Sequence, residues 1–175
     1  MTLKIPAFVL GCFALAAAYG QTDPVSKTAA TIPEELKKDA NVVIRLDEGK
    51  LEVLSPSEYT LTVHQVVTLL NEEAASYLRH RLGIDKFYKV DEVSISMYDA
   101  QGSLVKKYGR KDFEVEAAFD GISLVNDDKV MKLYTPAPGY PCTIDVQYKI
   151  RSTGYIELPN WYINYHDAST ELFCY

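Results

Sequence analysis

Cysteine, histidine and long apolar runs are scarce in this chain, and each scarcity removes a class of function. Of 175 residues, three are cysteine and three are histidine. Cys12 lies in the N-terminal apolar segment, which leaves Cys142 and Cys174. Two cysteines are no disulfide framework. A single bridge between them stays open, since pairing requires Cα atoms within about 7 Å. His64, His80 and His166 are widely separated, without the short spacing of zinc ligands. Asp120, Asp127 and Asp128 lack a recognisable calcium-loop pattern and read as solvated loop acids. No cofactor is expected. There is no internal repeat and no low-complexity tract. The formal net charge of −6 disfavours nucleic acid as a partner, because phosphate neutralisation needs a basic surface.

Past the first 20 residues, nothing is apolar enough to enter a membrane. Those first residues have the layout of a cleavable secretory signal. Lys4 is followed by the apolar run Ala7 to Ala18, then Ala18-Tyr19-Gly20, with small residues at the −3 and −1 positions before Gln21. The run is short for a spanning helix of about 20 residues, and Pro6 and Gly11 weaken it further as an anchor. Val9-Leu10-Gly11-Cys12 looks like a lipoprotein signal, but Cys12 sits inside the apolar stretch instead of at its end, so it reads as an ordinary residue of the signal. The expectation is an exported protein, periplasmic or extracellular, without a membrane span after cleavage.

Residues 21–40 form a lead-in, and 41–175 suit one domain. Gln21 to Thr31 is polar and small, and is expected to be poorly ordered. Thr31-Ile32-Pro33-Glu34 reads as a capping box that opens a short helix through about Lys38. Val42 to Leu54 and Tyr59 to Leu70 read as a long hairpin turned at Ser55-Pro56-Ser57-Glu58, with Tyr59, Leu61, Val63, Val67 and Leu69 on one face. Asn71 to Gly83 is expected to be a second helix: Asn71 caps it, Ala74, Ala75, Leu78 and Leu82 face inward, Arg79, His80 and Arg81 compensate its negative end, and Gly83 stops it. Val90 to Tyr98 alternates as a strand, turns at Asp99-Ala100-Gln101-Gly102 and returns through Leu104 to Tyr108. Lys129 to Tyr134 predicts a shorter strand. The clearest alternation puts Cys142, Ile144, Val146, Tyr148 and Ile150 inward, and Thr143, Asp145, Gln147, Lys149 and Arg151 outward. The fold class expected is mainly β, an antiparallel β-sandwich with one or two short helices. Ser169 to Tyr175 reads as a strand with no turn or tail after it, so the sandwich is expected to be cut off at the C-terminus, with sheet edges exposed to self-association.

Several pieces resemble, in order, the domain of unknown function that precedes transglutaminase-like domains in secreted Gram-negative proteins. They are Arg45-Leu46-Asp47-Glu48, Thr62-Val63-His64, Leu70-Asn71-Glu72-Glu73 and the run Tyr98 to Lys107. Ser123 to Val130, Gly139-Tyr140-Pro141 and Leu158-Pro159-Asn160-Trp161 extend the series. The resemblance implies a β-sandwich module whose partner in cis is a papain-like or transglutaminase-like catalytic domain, which this chain does not include. It carries over no catalytic residues.

The residues themselves offer two further candidates. Cys142, His166 and Asp167 occur in the order of a thiol catalytic triad, but Cys142 belongs to the apolar face of a strand, and His166 and Asp167 as extended neighbours point apart. Tyr155, Trp161, Tyr162 and Tyr165 lie close in sequence and suit either a stacking platform for a glycan or envelope protein, or core and interface packing.

Overall fold

The structure, a computed structural model, describes residues 25–118, 128–154 and 168–174. Among the described residues, ten strands run in the order β1 (Val42–Ser55), β2 (Glu58–Leu69), β3 (Arg79–Ile84), β4 (Tyr88–Tyr98), β5 (Leu104–Gly109), β6 (Glu114–Ala117), β7 (Lys129–Tyr134), β8 (Cys142–Thr153), β9 (Ala168–Thr170) and β10 (Phe173–Cys174). The larger sheet has the order β10-β1-β2-β8-β4-β5, with β9 also on β1, and the smaller has the order β3-β7-β6. Pairing is antiparallel except for β9 and β10, which lie parallel to β1 along one edge. The two sheets form a sandwich-like, mainly β fold, as the alternation predicts.

Period-two sequence becomes a buried face because strand register aligns the apolar rows. Val67, Ile144 and Met97 lie side by side across β2, β8 and β4, and so do Val63, Tyr148 and Val93, then Leu61, Ile150 and Val90. Leu78, Phe113 and Met131 join these rows in one core, so the smaller sheet and its flanking turns cover this face. The β4–β5 turn forms where expected. The Asp99 carboxylate accepts from the amides of Gln101 (3.0 Å) and Ser103 (2.8 Å), and Gly102 takes a positive φ of 82°.

Four expectations need correction. Asn71 to Gly83 is not one helix: Glu72–Leu78 is a 3-10 turn, and Arg79–Ile84 is β3. Asn71 does cap, accepting from the Glu73 amide at 3.0 Å, and Ala74 and Leu78 are buried, but Ala75 is exposed. Arg79, His80 and Arg81 pair with Tyr134, Leu133 and Lys132, so they end no helix, and Gly83 opposes Val130 inside the strand. Backbone pairing to β7 along the whole of β3 outweighs the local helical propensity of the segment, which a helix of this length realises only marginally by itself.

The short N-terminal helix, α1 (Glu34–Lys37), begins at Pro33 without a side-chain cap. The Thr31 hydroxyl instead donates to the Thr28 carbonyl (2.8 Å) and accepts from Arg45 (3.0 Å), so it is no capping-box residue. The described part of the lead-in, from Val25, is not loose: Ala29 and Ile32 are buried. Finally, Thr143 and Asp145, on the outward face of β8, are 0% and 7% exposed. The lead-in covers them.

Candidate functional site

Two places bring polar chemistry together: the face of the larger sheet under the lead-in, and a cleft between the sheets. Under the lead-in, the Asp145 carboxylate binds the Lys27 ammonium at 2.6 Å and His64 Nε2 at 3.0 Å, while the Gln147 amide donates to it at 3.1 Å. Burial alone would raise the Asp145 pKa, yet the hydrogen bonds from His64 and Lys27 and the Lys27 charge outweigh it and hold the group down at about 2. One step along β8, Thr143 donates to the Lys27 carbonyl (3.0 Å) and accepts from Thr68 (2.9 Å). Arg45 stands at a β-bulge between Ile44 and Leu46, which turns its guanidinium onto the lead-in carbonyl of Thr28, the Thr31 hydroxyl and Glu171. Both Asp145 oxygens are thus engaged by the chain's own donors, and the cluster clamps the lead-in onto the sheet.

The cleft has a volume of about 400 Å³. Val67, Ile95 and Ile144 supply apolar lining, with Tyr77, Tyr148 and His80 from the two sheets and the turn between them. Burial holds the His80 pKa down at about 4, so the ring is neutral at pH 7. Its Nε2 lies 3.1 Å from the Thr135 hydroxyl. That hydroxyl donates to the Leu78 carbonyl at 3.3 Å, so His80 is the donor of the pair. Burial, then the Asp47 charge, raises the pKa of both Tyr77 and Tyr148, and both phenols keep their protons. Among the described lining residues there is no carboxylate and no thiol. The cleft offers apolar walls and hydrogen-bond donors, the makeup of a ligand pocket.

Cys142 is 0% exposed at the start of β8, and burial pushes its thiol pKa up to about 11. A thiol in that state is a poor nucleophile. Its triad companions His166 and Asp167 lie outside the described residues, as do Tyr155, Trp161, Tyr162 and Tyr165. Cys142 is a free cysteine. Cys174 stands beside Glu48 in β10, whereas Cys142 opposes Leu69, which opposes Val42. Six residues along β1 and three strand spacings therefore separate the two, far beyond disulfide reach. The bridge that the sequence left open is not formed. Among the described residues, no group of three or more His, Cys, Asp or Glu side chains is placed to hold a metal ion.

Sequence alternation located the strands that carry both places, but it missed the clamp and the cleft. The clamp left no local signal in sequence, because Thr143 and Asp145 meet Lys27 across more than 100 residues.

The family model described as a domain of unknown function with solved structure, DUF3857, matches residues 55–170. A search of curated proteins found no match. Among solved structures, the crystal structure of a candidate protease from Parabacteroides distasonis shares the fold, with a TM-score of 0.56 over 70% of this chain at 15% identity. The aligned region spans 24% of that protein, so the likeness concerns one part of a longer molecule. At that identity it is a likeness of fold alone. The family match takes in the end of β1 and every strand from β2 to β9, and on that ground the chain belongs to the DUF3857 family of domains of unknown function.

Proposed function

We propose that this chain is a non-catalytic, exported β-sandwich module that serves as an accessory or docking domain for a transglutaminase-like catalytic domain. The observation that carries the reading is the family match together with the fold likeness to a stretch amounting to 24% of a longer candidate protease. A fold that recurs as a minority part of a larger protein suits a module that works beside a catalytic unit. The export reading rests on the signal layout of Met1 to Gly20. Among the described residues no helix is long and apolar enough to cross a membrane.

The side chains support a non-catalytic role. Cys142, the one thiol in the order of a triad, is sealed in the core with its pKa raised, and His80 is neutral and committed to Thr135. The reading is tested by assaying the isolated chain against cysteine-peptidase and transglutaminase substrates, with Cys142→Ser as comparison. It expects no turnover from either. Turnover by the chain that Cys142→Ser abolishes would contradict it.

A further inference from the structure

Where β4 turns into β5 and the chain enters β8, a recess of about 180 Å³ lies between the turn at residues 99–101 and the loop at residues 138–141. Tyr140 lines it and is 39% exposed, an aromatic ring that folding leaves partly uncovered. The Gln101 side-chain amide makes no hydrogen bond among the described residues. Of the Asp99 carboxylate, only Oδ1 is used, by the Gln101 and Ser103 amides, and Oδ2 is free. No Lys, Arg or His is among the described lining residues. β9 and β10 lie beyond β1 and β2 from here, away from the recess.

These groups are held in place from behind. The Thr28 hydroxyl donates to the Gln101 carbonyl at 3.0 Å and the Ala29 amide to the Ala100 carbonyl at 3.1 Å, so the lead-in backs the turn. Pro138 and Pro141 restrict the backbone on both sides of Tyr140. Binding here therefore has little left to order. An aromatic ring beside a carboxylate oxygen and an amide matches the two sides of a sugar ring. The C–H hydrogens of a pyranose present a weakly positive, apolar face to the π cloud, while its hydroxyls donate to the carboxylate and bond the amide in either sense. An anionic ligand would meet Asp99 without a cation to offset it. The volume is below the roughly 300 Å³ of the smallest drug-sized pockets, which admits one ring at a time. We propose that this recess binds one uncharged pyranose unit of a glycan, stacked on Tyr140, with its hydroxyls on Gln101 and on Asp99 Oδ2.

The test is an amide-resolved NMR titration of the chain with three neutral trisaccharides, cellotriose, maltotriose and chitotriose, and with a proline-rich peptide as a ligand of another class that also favours exposed aromatics. The expected result is a saturable shift of the Gln101, Gly139 and Tyr140 amides with at least one sugar, at an affinity that added salt leaves unchanged because the ligand carries no charge. Tyr140→Phe keeps the ring face and is expected to retain the affinity. Tyr140→Ala is expected to weaken it about tenfold, and Gln101→Ala several-fold. Both side chains are exposed, so thermal unfolding of the variants is expected to match that of the parent chain and to separate loss of the site from loss of the fold. No shift at these amides with any of the three sugars at millimolar concentration would overturn the proposal. So would shifts from the proline-rich peptide alone, or sugar binding that survives Tyr140→Ala undiminished.

Discussion

His80, partly buried, and Asp145, buried, both have their pKa values lowered by their surroundings, and both contribute to the acid response of the domain. The His80 ring has its folded pKa lowered from 6.5 to about 4 by burial. The unfolded chain therefore binds this proton more readily, and stability falls as pH drops below 6.5, levelling near pH 4. Asp145 is lowered from 3.8 to about 2, so its contribution is present above 3.8 and is lost as pH falls through about 2. The Asp145 shift corresponds to about 2 kcal/mol at neutral pH. Urea unfolding followed from pH 7 to pH 2 is expected to show two successive losses. His80→Gln should remove the first and Asp145→Asn the second. A profile that Asp145→Asn leaves unchanged below pH 4 would refute the clamp as a source of stability.

Among the elements, the lead-in is the one whose part in the fold differs most from the reading of its sequence. Its polar, small residues carry no apolar periodicity, yet Lys27 reaches Asp145, the Thr28 hydroxyl donates to the Gln101 carbonyl at 3.0 Å, and the Ala29 amide donates to Ala100. The contact is so close that a Cβ on Gly102 would stand 2.7 Å from the Thr28 hydroxyl and 3.1 Å from its backbone nitrogen. Gly102→Ala is therefore expected to cost about 1–2 kcal/mol from the positive φ alone, and to loosen the lead-in as well. Limited proteolysis before Ile32 should speed up in that variant, and an unchanged rate would place the lead-in's hold elsewhere. The strands were legible because Val93-Ile95-Met97 and Cys142-Ile144-Ile150 repeat with a period of two, and the sheet realises that period directly. Arg79 to Ile84 also alternates, with His80, Leu82 and Ile84 the less exposed residues, but the capping asparagine and flanking charges of Asn71 to Arg81 mimic a helix. Local cues chose the helix, and pairing with β7, some 50 residues away, chose the strand. The candidate site was less legible still, since cleft and clamp each depend on residues brought together across the sheets.

At the scale of the whole molecule, the fold divides into one sheet face sealed by the smaller sheet and an opposite face sealed in part by the lead-in. The buried thiol of Cys142, the neutral His80 and the fully engaged Asp145 are chemistry turned to structural use. On the reading proposed above, the module acts through its surfaces and its partner is a transglutaminase-like domain. The most direct test is a calorimetric titration of residues 21–175 with a transglutaminase-like domain supplied as a separate polypeptide. The account predicts saturable binding, with the catalytic domain supplying all of the activity in the mixture. Absence of binding at every accessible concentration would contradict it.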